Sequence, residues 1–470
     1  MNYDCIIVGA GPAGYFCAYE LIKLKKNLKV LIIEKGVELS RRKCPVLLHK
    51  FPKCPVHKDG VSGCEPSCSM LSGFGGAGAY SDGKFNITSE FGGWLGEYLE
   101  DEEVLSLIKY CDEINLEFGA PKEITNPNTI RVKEIEKKAI AVGIKLLRSE
   151  VRHIGTEENL KLLTRIYEYL KDKIDFKFET KAEDLIFDEY RTIIKGVRTS
   201  KGDFYSDKVV LGVGRDGSYW LDDIFNKYKL PMTNNQVDIG VRVETNNVVM
   251  EDINTSLYEG KFVYNTSVGT SVRTFCSNPS GHVVVENNSG VVTANGHSYH
   301  DLKLGTNNTN FALLVSHVFD EPFNNPNEYA IRISKIANKL SLGSVIVQRY
   351  GDIKLGRRST KKRISEGFVK PTLKEAIPGD LGLVLPYNTM KSIIEMIEAL
   401  DHITPGIANE HTLFYGVESK FYSARPVVEK TLELKDVKGL YVAGDGAGLT
   451  RGLAQAGASG VYIARNILKE

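Results

Sequence analysis

The segment Gly9-Ala10-Gly11-Pro12-Ala13-Gly14 restricts the fold more than any other, because of what flanks it. An apolar run over 3–8 precedes it, and Ala13, Cys17, Ala18, Leu21 and Ile22 recur after it at helical spacing. A second apolar run follows at 30–33. Short apolar runs bounded by turn or polar residues read as strands buried on both faces. The beginning of the chain is therefore a strand–helix–strand unit. In such a unit Gly9 permits the tight turn, Gly11 lets backbone N–H groups approach a pyrophosphate, and Gly14 allows close helix–strand packing. The helix N-terminus adds unpaired donors and a positive dipole end. Glu34, 20 residues beyond Gly14, ends the second strand. A carboxylate there accepts hydrogen bonds from ribose hydroxyls and repels a 2′-phosphate. A dinucleotide site is expected, and it disfavours NADP.

Three distant segments narrow that dinucleotide to FAD. Lys208–Gly214 reads K-V-V-L-G-V-G, a buried strand ending in glycines. Gly439–Asp445 reads G-L-Y-V-A-G-D, and G-A-G-L-T-R-G then runs into an apolar helix. In flavoproteins with a dinucleotide fold such a Gly-Asp sets a carboxylate on the ribitol, and the next helix points its N-terminus at the flavin. Phe74–Lys84 is small and glycine-rich enough for a flat ring to lie against backbone. The expected cofactor contacts are Gly9, Gly11, Pro12, Ala13, Gly14, Glu34, Lys35, Gly76, Ala77, Gly78, Ser81, Gly83, Lys84, Ala182, Gly212, Gly214, Gly444, Asp445, Gly446, Arg451, Gly452 and Leu453. Gly212–Gly217 repeats the G-x-G-x-x-G pattern. It reads either as a nicotinamide site or as the chain's return to the flavin; no second complete unit with a matching acid follows before Pro231. NAD(P)H, if used, is expected to dock transiently.

Further segments carry a family resemblance: G-F-G-G-A-G-A-Y-S-D-G-K (73–84), R-H-I-G-T (152–156), D-I-G-V-R-V-E (238–244), G-R-R-S-T (356–360), Y-G-V-E-S-K-F-Y-S-A-R-P (415–426) and G-D-G-A-G-L-T-R-G-L-A-Q-A (444–456). On these the chain, over nearly its whole length, resembles the bacterial and plastid FAD-dependent dehydrogenases. These are distant relatives of geranylgeranyl reductases and tRNA-modifying flavoproteins. The resemblance implies non-covalent FAD and a dehydrogenase or reductase role, with no substrate specified.

The expected fold class is α/β: a Rossmann-like FAD-binding domain of the glutathione-reductase type with an inserted mixed α+β substrate domain. Residues 1–230 would form the first, with a helical insertion over 94–172 that includes helices at Val132–Leu147 and Thr156–Leu170. Residues 231–404 would form the second, mainly β, and 405–470 would return to the first.

With 470 residues, 42% hydrophobic and 25% charged, the composition is that of a globular protein. A net charge of +1 argues against a dedicated nucleic-acid or polybasic membrane surface. The absence of a leader pattern or a long apolar run leads to a cytoplasmic expectation without a membrane span. Eight cysteines there do not suggest a disulfide framework. Cys5, Cys17 and Cys111 read as core. Cys44, Cys54, Cys64 and Cys68 cluster in the irregular stretch 36–93. They could hold a [4Fe–4S] cluster or zinc, Cys64 and Cys68 could form a redox pair, or all could be idle thiols.

Candidates for substrate chemistry are Cys276, His282 and Arg425, with His297 and Tyr422 beside them. The substrate is expected to be a small organic molecule, with a ferredoxin-like protein or NAD(P)H open as electron donor. Lys354–Arg363 holds six basic residues in ten. It could clamp a carboxylate, a phosphate or, least of all, RNA, or it could be a solvated loop. A flavin-dependent RNA-modifying enzyme and a flavin–cysteine redox protein are the alternative functions.

Overall fold

The computed structural model describes residues 2–44, 67–81, 83–257, 259–288, 290–298, 302–320, 322–323 and 325–469. The apolar runs form a parallel sheet of β1 (Cys5–Val8), β2 (Val30–Ile33), β3 (Asp175–Lys177), β4 (Val209–Leu211) and β5 (Leu440–Val442). Their spatial order is β5-β4-β1-β2-β3, and every pairing is parallel. This is a Rossmann-like sheet: the chain winds outward from β1 to β3 and then restarts on the other side at β4. The crevice beyond the carboxyl ends of β1 and β4 is the topological switch point, where such sheets take ligands. A hydrogen bond from the Gly212 amide to the Val8 carbonyl (2.8 Å) closes the two strand ends there.

Small residues let the helices approach this sheet closely. The first helix, α1 (Pro12–Leu24), packs on the last one, Leu453–Lys469. A Cβ on Gly460 would fall 2.1 Å from the Ala13 carbonyl oxygen, so the two backbones touch. Cys17 and Cys111 are fully buried in the same core, as expected.

The second layer is an eight-stranded sheet in the order 377–378, 346–349, 413–420, 237–246, 308–317, 271–278, 261–265, 144–147. Only the pair 346–349 and 377–378 is parallel. This sheet reaches beyond the expected limits of 231–404 on both sides, taking 144–147 and 413–420. The helix expected over Val132–Leu147 is corrected: it runs Ile130–Ala141. Gly143, at φ 75°, turns the chain, and Ile144–Leu147 continues as a strand against Lys261–Tyr264. The second expected helix is found at Thr156–Lys171.

Strand Val237–Asn246 is central to that layer. Val237, Ile239, Val241 and Val243 face one apolar core. The alternate positions Asp238, Arg242 and Glu244 are also fully buried. A strand buried on both faces with three ionisable groups along one of them requires partners for each, and those of Asp238, namely Arg273 and Tyr422, enter the site. No helix among the described residues is long and apolar enough to cross a membrane.

Candidate functional site

The three motif glycines divide by what constrains them. A Cβ on Gly9 would lie 2.3 Å from the Gly212 carbonyl oxygen, and one on Gly14 would lie 2.0 Å from the Gly9 oxygen. The chain itself therefore demands both. On Gly11 a Cβ would meet nothing nearer than the Gly76 Cα at 4.0 Å. A glycine that the polypeptide does not need, at the N-terminus of α1 and the mouth of the switch point, is what a phosphate-contacting position looks like.

Glu34 is buried and its carboxylate collects three backbone amides: Ala10 on Oε2 at 2.9 Å, Gly36 on Oε1 at 2.8 Å and Gly73 on Oε1 at 3.0 Å. Each oxygen can accept two hydrogen bonds, so Oε2 keeps room for a ribose hydroxyl. Lys35 pairs with Asp216 at 2.6 Å, and Ser72 donates to the same carboxylate at 2.8 Å. Ala182 begins a three-stranded meander, and just before it Thr180 donates its amide to the Glu34 carbonyl.

The glycine-rich segment lies across this mouth. Gly75 donates to the Ala10 carbonyl at 2.9 Å, and residues Gly76–Tyr80 form a 3₁₀ turn. Asn159 pins that turn through the Gly78 carbonyl at 2.8 Å. Ser81 closes back on the same carbonyl at 2.7 Å and receives the Gly83 amide, while Lys84 opens a strand opposite His153. A Cβ on Gly78 would lie 2.5 Å from the Leu453 side chain, so Ala77 and Gly78 pass the start of the last helix. Arg152, from R-H-I-G-T, braces the adjoining strand through a buried bidentate pair with Asp112, both bonds at 2.7 Å.

At the other side of the switch point, Asp445 Oδ1 accepts from the Thr450 hydroxyl at 2.8 Å and the Gly452 amide at 3.2 Å. Its Oδ2 has Arg215 at 3.9 Å, beyond hydrogen-bond range, which leaves an acceptor for a polyol. Gly446 packs on Gly214, where a Cβ would fall 2.3 Å from the carbonyl oxygen. Gly212–Gly217 thus belongs to this one sheet. The helix after it leads to Met232–Thr233, which pairs with Arg425–Pro426 outside the parallel sheet. The return-to-flavin reading of the second glycine motif fits this path.

The Gly-Asp turn abuts the second layer. Asn235 bridges the Ser423 and Gly448 carbonyls at 3.1 and 3.3 Å. Trp94 donates its amide to Leu449, and Arg451 donates its amide to Gly92. Around this joint stand Arg273 and Lys261, which sequence reading left out, beside Asp238, Tyr422 and Arg451. Asp238 accepts from Arg273 and from the Tyr422 hydroxyl, and Arg273 also donates to that hydroxyl. Arg451, expected on the cofactor, has its guanidinium 4.1 Å from the centre of the Tyr422 ring. Lys261 lies 3.7 Å from the centre of the Phe91 ring and 3.4 Å from Glu259, and burial pushes its ammonium below the ordinary value.

The other catalytic candidates sit as follows. Cys276 lies in the irregular stretch between Phe275 and Asn278 with φ 45°. Its carbonyl accepts from Arg242 at 2.9 Å, and burial pushes its thiol up, which disfavours the thiolate. Arg425 stacks on Trp94 at 4.3 Å and pairs with Glu97 at 2.6 Å, so it backs the aromatic wall. His282 places Nε2 2.9 Å from the Leu304 carbonyl and lies opposite His297 in a two-stranded hairpin. Much of the basic segment is internally paired: Asp352 takes Arg357 at 2.7 Å and Arg363 at 3.1 Å, Glu398 takes Lys354 at 2.9 Å, and Ser359 closes on Asp352. Cys44 and Cys68 are free thiols, whereas Cys54 and Cys64 lie outside the described residues. Among the described residues no group of three or more side chains could hold a metal.

Residues 236–421 match the family described as FAD-dependent protein, C-terminal domain-like. That segment is similar to this family of FAD-dependent proteins. It contains Asp238, Lys261, Arg273 and Cys276 and ends one residue before Tyr422. An uncharacterized protein of Clostridium beijerinckii is 26% identical to this protein over 99% of its chain and 80% of the relative's. Among solved structures, glycine oxidase from Geobacillus kaustophilus is 13% identical, with 100% of this chain and 95% of that one covered at a TM-score of 0.36. Formate oxidase from Aspergillus oryzae is 14% identical, with 100% and 98% covered at a TM-score of 0.43.

Proposed function

We propose that this FAD-dependent protein is an oxidoreductase acting on a small organic substrate at the joint between its two layers. The observation that carries the reading is the adjacency of two sites: the cradle formed by Gly11, Glu34 and Asp445, and the polar-aromatic cluster of Tyr422, Arg273 and Arg451. FAD, when bound, supplies hydride exchange with an organic molecule. Gly11 and the N-terminus of α1 would hold the pyrophosphate, Glu34 Oε2 a ribose hydroxyl, and Asp445 Oδ2 the ribitol chain. The glycine-rich turn Gly76–Tyr80 and the start of the last helix would border the flavin ring. Fit is supported by the open space at Gly11 and by the spare acceptor on each carboxylate.

The chain's own groups would then position the substrate and manage a proton. Trp94, Phe275 and Tyr422 give an apolar wall. Lys261 Nζ, whose neutral form burial favours, is suited to accept and return a proton beside that wall. The reading is tested by mixing FAD-loaded protein without oxygen with alcohols, amines, hydroxy acids and, after chemical reduction, activated alkenes. Bleaching or recovery of the flavin bands by at least one class is expected. A flavin that dithionite reduces, but that no organic class reduces or reoxidises, contradicts it.

A further inference from the structure

Two guanidinium groups share one tyrosine at the joint between the layers. Arg451 lies over the Tyr422 ring at 4.1 Å and stands 5.7 Å from the centre of the Phe275 ring. Arg273 hydrogen-bonds the Tyr422 hydroxyl and stands 5.9 Å from the same Phe275 ring. Trp94 meets Tyr422 edge-on at 5.2 Å. Two like charges therefore flank one pair of rings, inside a largely enclosed region where charges are weakly screened.

Among the described residues only one carboxylate, that of Asp238, makes an ion pair with either arginine. That carboxylate is already filled: Ser316 donates to Oδ1 at 2.8 Å and Gln236 at 3.2 Å, while Arg273 and Tyr422 take Oδ2. Arg451 has no ion pair among the described residues, and the buried Nε of Arg273 has no acceptor. Burial, with the nearby Arg273 adding to it, pushes the Arg451 guanidinium below its ordinary value. The alternative reading, in which Arg425 supplies the positive charge, fails because Glu97 neutralises it. With Asp238 balancing Arg273, the Arg451 charge has no carboxylate partner and Arg273 Nε no acceptor among the described residues. Buried charges left so placed are candidates for a functional position.

We propose that Arg451 and Arg273 form an anion subsite that holds the carboxylate of a planar organic monoanion, whose body lies against Tyr422, Phe275 and Trp94. A monoanion matches the single uncompensated charge, and the fork of a guanidinium matches a carboxylate. The ring wall matches a flat apolar body. The inference rests on the oxidoreductase reading and names the substrate class of that same site.

The test is calorimetric titration of the FAD-loaded protein with benzoate and with benzamide, its neutral counterpart of the same shape. Benzoate is expected to bind at least about tenfold more tightly. Arg451→Gln is expected to remove that preference, and Arg451→Lys to keep part of it. Equal binding of the two probes, or binding of neither, overturns the subsite in the wild-type protein alone, so the outcome does not depend on the variants folding. Loss of FAD from Arg451→Gln, with the benzoate preference intact on reconstitution, also overturns it and assigns Arg451 to the cofactor. A protein that takes up no FAD yet prefers benzoate keeps the anion subsite and loses the oxidoreductase reading.

Discussion

The Glu34 carboxylate accepts the Gly73 backbone amide at 3.0 Å, joining the end of β2 to a glycine-rich segment 39 positions away. With Ala10 and Gly36 on the same side chain, one carboxylate fastens three stretches of backbone around the mouth of the crevice. The residue proposed to meet the ribose is thus also a structural clasp.

Glu34→Gln replaces one acceptor oxygen by an amide that faces a backbone donor. A buried donor left without its acceptor costs about 1–3 kcal/mol. The variant is expected to unfold at lower denaturant even when stripped of FAD, and to bind FAD more weakly. An apo-protein as stable as the wild type would show that Glu34 serves the ligand alone.

Gly11→Ala and Gly14→Ala separate ligand from chain. A methyl on Gly11 enters open space near the first turn of α1, whereas one on Gly14 falls 2.0 Å from the Gly9 oxygen. Gly11→Ala is expected to leave apo-protein stability within about 0.5 kcal/mol while FAD affinity falls by about tenfold or more. Gly14→Ala is expected to destabilise the fold itself by about 1–3 kcal/mol. Urea titration of the apo-proteins and flavin fluorescence on reconstitution give the two readouts; equal destabilisation by both contradicts the division.

Asp222, on the helix Ser218–Tyr228, has its carboxyl pushed up to about 6 by burial and then by Asp223, and its Oδ1 has no partner. A raised carboxyl favours folding below the unfolded pKa near 3.8, and that contribution is lost as pH rises through about 6. Because the group is partly exposed, screening reduces the effect to about 1 kcal/mol. Asp222→Asn is expected to stabilise the protein by about that amount near pH 8 and by almost nothing near pH 4. A stabilisation independent of pH in thermal unfolding would contradict the assignment.

What the sequence showed and what it hid follow from how far apart the interacting residues lie. The strand–turn–helix at Cys5–Leu24 and the strands at Val30–Ile33 and Val209–Leu211 are local patterns, so their residues alone identify them. The helix expected through Leu147 failed at Gly143, where a turn interrupts a pattern whose apolar residues suit helix and strand alike. Asp238, Arg273 and Tyr422 meet across 35 to 184 positions, which no local spacing reveals. The signal that was there is the alternation in D-I-G-V-R-V-E: charges at 238, 242 and 244, on one face of a buried strand, demand buried partners. Likewise R-H-I-G-T and G-R-R-S-T mark Arg152 on Asp112 and the arginines gathered around Asp352, structural braces rather than ligand contacts.

The most direct test of the central claim is the FAD content of the purified, folded protein after reconstitution and desalting, compared with that of Gly11→Ala. The visible flavin bands at about one FAD per chain, retained by the wild type and lost by the variant, are the expected result. A folded wild-type protein that remains colourless, or a variant that holds FAD as tightly, would contradict the placement of FAD across Gly11, Glu34 and Asp445.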